Sequence, residues 1–134
     1  MEPAAQNPPR LDGQAARSII IVDDNQTVTK ALRVMLGNAG YDVHEFETGL
    51  AALRHAAQSR PDAAVIDIHL PDINGLVLTQ RLRDLHGPDT PLIILSGDTS
   101  MQTLNSLPHV GATYFFPKPV QGAQLIERLK EWVA

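Results

Sequence analysis

The chain has 134 residues, 43% of them hydrophobic and 19% charged, a composition typical of one globular domain. Its lack of cysteine excludes disulfide bonds, cysteine-ligated metal centres and a thiol nucleophile. The net charge of -4 gives no overall attraction to nucleic acid or anionic lipid, and the sequence shows neither a membrane-length apolar run nor a secretion signal, so we expect a cytoplasmic protein without nucleic-acid or membrane partners.

Residues 1–17 differ in composition from the rest of the chain. They contain three prolines and, after Met1, a single large aliphatic residue, Leu11. A segment with so little apolar surface cannot offset the entropy lost when its backbone is ordered. We therefore expect a mobile tail or linker at residues 1–17, followed by one domain at residues 18–134.

From Ser18 onward, short aliphatic and β-branched segments alternate with amphipathic segments of helical length. The predicted strands are Ser18–Val22, Tyr41–Phe46, Ala63–Asp67, Leu92–Ser96 and Thr113–Phe116. The predicted helices are Gln26–Asn38, Gly49–Gln58, Gly75–Leu85, Ser100–Leu107 and Val120–Trp132. We expect Gly40 to stop the first helix and Pro108 to end the fourth.

This strict alternation predicts a doubly wound α/β domain built on a five-stranded parallel sheet. Three of the strands are continuous apolar runs, which is typical of strands buried on both faces. Parallel neighbours need right-handed crossover connections, and the helices in those connections cover both faces of the sheet.

Polar residues follow the apolar residues at the ends of four predicted strands. Asp23 and Asp24 follow the first strand, Asp67 ends the third, Ser96 ends the fourth, and Lys118 lies just past the fifth. In an open parallel sheet, ligands bind beyond the carboxyl ends of the strands, where loops from different strands converge. We therefore expect these five side chains to meet in one site.

Three carboxylates in one site need compensation of their charge. Two unit charges about 4 Å apart repel by about 4 kcal/mol at an effective dielectric constant near 20. Either some carboxyls stay protonated or a hard divalent cation neutralises them, and a partly hydrated, all-oxygen site suits Mg2+ completed by a phosphate oxygen. Ser96 can donate a hydroxyl to a phosphoryl oxygen, Lys118 offers positive charge, and Asp67 is placed to become an aspartyl phosphate.

Each of these residues also has a purely structural interpretation. Asp23, Asp24 and Asn25 could cap the first helix, since Asp and Asn are favoured at that position. Lys118 could be a solvated loop lysine, although the prolines on both sides fix its backbone. The combination of acids and lysine favours the functional interpretation.

The residues around the site resemble the receiver domain of two-component response regulators, the CheY-like family. The matching segments are residues 20–25 (IIVDDN), 67–75 (DIHLPDING), 94–97 (ILSG) and 111–119 (GATYFFPKP), in the order and at the spacing typical of that family. The resemblance extends from Ser18 to the C-terminus. It implies a flavodoxin-like (βα)5 fold with the strand order 2-1-3-4-5.

The resemblance also implies the chemistry of the site. Asp67 would accept a phosphoryl group from a phosphohistidine on a sensor histidine kinase or a histidine phosphotransfer protein, so the domain would be a phosphoacceptor in signalling and not an enzyme. The implied ligands of Mg2+ are the carboxylates of Asp23, Asp24 and Asp67 and the main-chain carbonyl of His69. Positioning and charge neutralisation supply most of the rate of such a transfer.

A conformational switch is implied as well. Ser96 and Lys118 would bind the phosphoryl oxygens, and the Lys118–Pro119 peptide bond would be cis. Ser96 and Phe115 would move together when the site is phosphorylated. The readout surface would be the fourth helix, fifth strand and fifth helix, which a downstream protein would bind. The domain would be a monomer or a phosphorylation-dependent dimer.

Other functions are also compatible with the sequence. The chain could be a receiver-fold interaction module that phosphorylation does not regulate, or a receiver excised from a hybrid histidine kinase. A phosphatase of the haloacid dehalogenase type is disfavoured, because that family needs an Asp where this chain has His69. A DNA-binding regulator is disfavoured because no helix-turn-helix pattern is visible. Since the chain ends with the fifth predicted helix, we expect a stand-alone receiver.

Overall fold

The computed structural model describes residues 16–133, in which five strands alternate with five helices. The strands are β1 (Ser18–Val22), β2 (Asp42–Phe46), β3 (Ala63–Asp67), β4 (Leu92–Ser96) and β5 (Tyr114–Pro117). The helices are α1 (Gln26–Asn38), α2 (Gly49–Gln58), α3 (Gly75–His86), α4 (Met101–Val110) and α5 (Gly122–Trp132). Each predicted element is therefore present, and in the predicted order.

The sheet is parallel throughout, and its spatial order is β2-β1-β3-β4-β5. This confirms the predicted doubly wound, flavodoxin-like fold. After β2 the chain crosses back to the other side of β1, so the direction of winding reverses between β1 and β3. The carboxyl ends of these two strands therefore border the crevice in which folds of this class bind their ligands.

Two apolar clusters, one on each face of the sheet, form the core. The first includes Leu32 and Leu36 of α1 and Leu125 and Leu129 of α5. The second includes Ala52 and Ala56 of α2 and Leu78 and Leu82 of α3. Successive residues of β1 alternate between the two clusters, which explains why this strand is apolar along its whole length.

The predicted tail at residues 1–15 lies outside the described residues. Of the two remaining residues of that segment, Ala16 is buried, and the Arg17 carbonyl accepts a hydrogen bond of 2.9 Å from the Asp42 N–H. Among the described residues, no helix is long and apolar enough to cross a membrane.

The end of α4 is the main correction to the predicted elements. Pro108 was predicted to end this helix, but α4 continues to Val110 with Pro108 inside its last turn. Pro108 has no N–H to donate, but the last turn is still closed, because the N–H groups of Ala112 and Gly111 donate to the Leu107 and Pro108 carbonyls over 3.1 and 3.2 Å. Gly111 closes the helix in the left-handed conformation, at φ 82°, and Arg83 of α3 donates two hydrogen bonds, of 3.0 and 2.6 Å, to the Gly111 carbonyl.

The remaining differences are shifts of one or two residues at element ends. β2 begins after Tyr41, α3 extends to His86, and α5 begins after its N-cap residue Gln121. β5 is shifted by one residue towards the C-terminus, so Thr113 lies just before it. The Thr113 N–H still contacts β4, donating to the Leu92 carbonyl over 2.7 Å. None of these shifts changes which strand end carries which polar residue.

Candidate functional site

The register of the sheet brings the polar strand ends together. Val22, the last residue of β1, pairs with Ile66 of β3. The residues that follow them, Asp23 and Asp67, therefore lie at the same level. Asp67 in turn pairs with Leu95 of β4, directly before Ser96. Two neighbouring strand pairs therefore place three of the predicted site residues at one edge of the sheet.

Asp23, Asp24 and Asp67 form the acidic part of the site. Each contributes a carboxylate oxygen to a group in which all three atoms lie within 4.8 Å of one another. Asp23 and Asp67 are buried, whereas Asp24 is exposed. The cluster thus combines two buried acids with one that is open to solvent.

Lys118 supplies the positive charge. Its Nζ lies 2.9 Å from Asp23 Oδ2 and 3.4 Å from Asp67 Oδ1, and a quarter of its side chain is exposed. The Lys118 N–H also donates to the Ser96 carbonyl over 2.9 Å, which ties the loop after β5 to the end of β4. The Lys118–Pro119 peptide bond is cis.

Burial and repulsion from Asp23 raise the pKa of the Asp67 carboxyl above its ordinary value, and Lys118 offsets part of this rise. Burial alone would lower the pKa of the Lys118 ammonium, but attraction to Asp23 and Asp67 outweighs burial and raises that pKa. Lys118 is therefore charged at neutral pH. A hydrogen bond from the His69 N–H to the Asp67 carboxylate also favours its ionised form.

The donor set fits a hard divalent cation. Three carboxylates face one ammonium, so the ionised site carries excess negative charge, and all its anionic ligands are oxygen atoms. None of these three acids is the N-cap of α1. That role belongs to Asn25, whose side chain accepts hydrogen bonds from the N–H groups of Thr27 and Val28.

Ser96 is fully buried, and its hydroxyl connects the site to α4. Its Oγ accepts a hydrogen bond of 2.9 Å from the Asp98 N–H. The Asp98 carboxylate accepts two further hydrogen bonds, from the Ser100 N–H (2.9 Å) and the Thr103 hydroxyl (2.7 Å). Because Ser100 is the N-cap of α4, these contacts link Ser96 to the start of that helix. The sequence pattern does not predict this link through Asp98.

Phe115, the predicted switch residue, is half-buried and packs against the cluster formed with α2 and α3. Its neighbour Tyr114 points to the other face, where its ring lies 4.9 Å from Phe116 and 5.7 Å from Trp132, measured between centroids. The two faces of β5 thus separate Phe115 from the aromatic group beside α5.

The loop between β3 and α3 carries His69 and holds the end of β3 against α3. A β-bridge pairs His69 with Asn74, and the Gly75 N–H donates to the Ile68 carbonyl over 2.7 Å. Gly75 packs so closely on the main chain of Asp67 that a Cβ at this position would lie 2.0 Å from the Asp67 carbonyl oxygen. Only glycine allows this approach.

Asp72 in the same loop has a contact that the sequence did not reveal. Its two carboxylate oxygens accept hydrogen bonds from the N–H groups of Gly49 (2.9 Å) and Leu50 (2.8 Å), at the start of α2. No local pattern could have found the contact, because the partners are more than twenty residues apart.

Two histidines that are not part of the acidic cluster lie side by side. The His44 and His55 rings are 5.0 Å apart between centroids, and His44 Nε2 lies 3.0 Å from Asp42 Oδ2. Burial, together with His44, lowers the pKa of His55, although Asp42 opposes the shift. His55 Nε2 is buried without a hydrogen-bond partner in the described part of the chain.

Among known proteins, curated response regulators match most of this chain. Response regulator MprA from Mycobacterium sp. (strain KMS) is 34% identical over 112 residues, which cover 84% of this chain and 48% of the relative. The same protein from Mycobacterium leprae (strain TN) is also 34% identical over 112 residues and is covered to 49%. The chain thus spans about half the length of the curated relatives it matches.

Solved structures agree with this match. A CheY-like receiver domain protein from Methanospirillum hungatei JF-1 has a TM-score of 0.83 at 28% identity, covering 87% of this chain and 92% of the other. The receiver domain of sensor histidine kinase PA1611 from Pseudomonas aeruginosa PAO1, with magnesium in its active-site cleft, has a TM-score of 0.79 at 28% identity, covering 88% of this chain and 98% of the other.

The family model of the response regulator receiver domain matches residues 19–130, which include every residue of the site described above. The fold, the strand order and the sequence similarity lead to the same assignment. The chain belongs to the response regulator receiver domain family of two-component signalling systems.

Proposed function

We propose that the protein receives a phosphoryl group on Asp67 from a phosphohistidine and passes the signal to a partner protein. The observation that carries this proposal is the pairing of Lys118 with both Asp23 and Asp67 in a cluster of three carboxylates. A group that must accept an anionic phosphoryl moiety needs a nearby fixed cation, and Lys118 lies within 3.4 Å of the proposed nucleophile.

The proposed transfer is a displacement at phosphorus. A carboxylate oxygen of Asp67 forms a bond to phosphorus while the bond between phosphorus and the donor imidazole nitrogen breaks, and the bond's electron pair returns to that nitrogen. Lys118 favours the ionised carboxylate before the reaction and attracts the phosphoryl oxygens after it. Ser96 becomes a donor to the same oxygens when its side chain moves towards them.

Asp23, Asp24, Asp67 and the carbonyl of His69 would hold Mg2+ at this site. When bound, the cation offsets the negative charge shared by the carboxylates and the incoming phosphoryl group. The magnesium ion in the cleft of the P. aeruginosa receiver domain, at 28% identity, supports this choice of metal.

The signal would leave the site through Ser96 and Phe115. Because a hydroxyl can donate and accept at once, the hydrogen bond from the Asp98 N–H is lost only when the Ser96 side chain itself moves towards the phosphoryl group, and that movement would loosen the contacts that hold the start of α4. Phe115 would adjust its packing in the adjoining cluster. The face formed by α4, β5 and α5 would then bind the partner, as a shift between two populated states.

Labelling with a small phosphodonor tests this proposal. With acetyl phosphate and Mg2+, we expect the intact mass to rise by one phosphoryl group, and we expect hydroxylamine to remove the label because it cleaves acyl phosphates. Asp67→Asn should abolish labelling, whereas Asp84→Asn, the same change at an exposed site on α3, should leave it intact. Labelling of Asp67→Asn, or full labelling in EDTA, would contradict the proposal.

A second measurement separates a phosphoacceptor from a passive interaction module. NMR titration with Mg2+ should shift the amide signals of Asp24, Asp67 and His69. Trp132 is a poor reporter for this titration, since it lies beside Arg60 and Pro91, at the amino ends of the strands. An interaction module without a metal site would show no saturable shift.

A further inference from the structure

The loop between β3 and α3 is held by two sets of contacts. One set joins the two ends of the loop to each other, and the other joins its tip to a different helix. At its base, the bridge between His69 and Asn74 and the hydrogen bond from the Gly75 N–H to the Ile68 carbonyl close the loop. At its tip, the contacts are with a different element, α2. The base contacts alone fix the loop's closure but leave its tip without an anchor on the rest of the domain.

The anchor at the tip consists of two adjacent residues. The Asp72 carboxylate uses both oxygens, accepting the N–H of Gly49 over 2.9 Å and that of Leu50 over 2.8 Å. Ile73 packs against Gly49, where a Cβ would come within 2.5 Å of the isoleucine Cγ1. The glycine therefore provides the space for Ile73, and the free N–H groups of the helix start bind Asp72.

The charge of Asp72 suits this position. The first N–H groups of a helix have no partner within the helix and carry partial positive charge, which attracts a carboxylate. Desolvation alone would raise the pKa of Asp72, but the N–H groups of Leu50 and Gly49 outweigh it and hold the pKa below its ordinary value. Asp72 is therefore ionised and bound to α2 at neutral pH.

We propose that Asp72 is a positioning residue that fixes the His69 main chain for metal binding and phosphoryl transfer. The inference rests on the proposed function, in which the His69 carbonyl is a ligand of Mg2+. The His69 N–H favours the ionised form of the Asp67 carboxyl, so a shift of this peptide group would affect both the proposed nucleophile and a proposed metal ligand. Groups that orient metal ligands typically change metal affinity about 10- to 100-fold when removed.

The test compares two variants that weaken the same helix end. Asp72→Ala removes both hydrogen bonds to the α2 N–H groups. Thr48→Ala is the matched control, because the Thr48 hydroxyl is the N-cap of α2, accepting the Ala51 N–H over 3.1 Å, and makes no part of the loop anchor. Asp72→Asn keeps one acceptor oxygen and serves as a milder variant where Asp72→Ala does not fold.

Two readouts are measured for each variant: the Mg2+ dissociation constant from NMR titration, and the initial rate of labelling by acetyl phosphate. We expect Asp72→Ala to weaken Mg2+ binding about tenfold, Asp72→Asn to fall between it and wild type, and Thr48→Ala to change binding by less than about twofold. The amide signals of His69 and Leu70 should broaden or shift in the Asp72 variants alone.

Two kinds of failure are distinguishable. If wild type binds Mg2+ and is labelled, but Asp72→Ala and Thr48→Ala behave alike, Asp72 is only a structural contact and the inference is overturned. If wild type shows neither metal binding nor labelling, the proposed function itself fails.

Discussion

Replacing Gly75 by alanine tests the close packing of the start of α3 on the main chain at the end of β3. The added Cβ would lie 2.0 Å from the Asp67 carbonyl oxygen and 2.7 Å from the Ile68 Cα, whereas ordinary contact begins at 3.4 Å. Both neighbours are main-chain atoms, one in the last residue of the central strand and one in the residue after it, so neither can rotate away. The start of α3 must therefore move outward by roughly an ångström to relieve the overlap.

This displacement has two costs. Overpacking of a dense core costs about 1–3 kcal/mol, and losing the 2.7 Å hydrogen bond from the Gly75 N–H to the Ile68 carbonyl costs about 1 kcal/mol more. The higher helix propensity of alanine offsets less than about 1 kcal/mol. We expect a net loss of about 3 kcal/mol, a large part of the about 5–15 kcal/mol that stabilises a typical domain.

Urea denaturation followed by circular dichroism measures this loss. The matched control is Gly37→Ala in α1, where a Cβ meets nothing within 4 Å and the glycine is exposed. That substitution should stabilise the protein by about 0.5 kcal/mol. The steric argument is refuted if Gly75→Ala unfolds within about 0.5 kcal/mol of wild type, or if both glycine variants lose stability equally.

Three further predictions concern metal binding, pH dependence and the hydrogen bonds from Arg83 of α3 to the end of α4. Asp24→Asn should leave the free energy of unfolding in EDTA unchanged, because Asp24 is exposed. In wild type, Mg2+ at a hundredfold excess over Kd should raise that free energy by about 2.7 kcal/mol, and the variant should lose most of this increase. Burial and His44 lower the pKa of His55 below the ordinary 6.5, so the unfolded chain takes up a proton more readily than the folded one. The free energy of unfolding should therefore fall as pH drops below 6.5, and His55→Phe should reduce that fall in urea titrations. Arg83→Met should cost about 2 kcal/mol in the same assay, because the Gly111 carbonyl loses two charged donors; a cost near zero would show that water replaces them.

The sequence was sufficient for the fold and for the membership of the acidic site. Both depend on local information: the apolar runs identify the strands, and parallel strands place their carboxyl ends at one edge whatever the details. Asp23, Asp67 and Lys118 could therefore be predicted to lie together before any distance was known. The sequence alone could not decide whether Asp24 or Asn25 caps α1, and the structure assigns the cap to Asn25.

The features that the sequence missed depend on partners distant in the chain. Pro108 looked like a helix end because nothing nearby indicated that Arg83 of α3 would bind the Gly111 carbonyl. The same holds for Asp72, whose turn-forming sequence is compatible with many loops. Such contacts follow from the packing of α2, α3 and α4, which local patterns do not encode.

The position of Lys118 gives the acidic cluster a counter-ion that belongs to the chain itself. A tethered ammonium cannot diffuse away, so Asp23 keeps a counter-ion even at low divalent concentration. A divalent cation that binds these acids would therefore compete with the Lys118 ammonium for the same carboxylate oxygens. Its affinity would reflect the difference in free energy between the arrangement paired with Lys118 and the arrangement paired with the cation. Binding of such a cation would therefore be reversible, because Lys118 would again pair with the acids when the cation leaves.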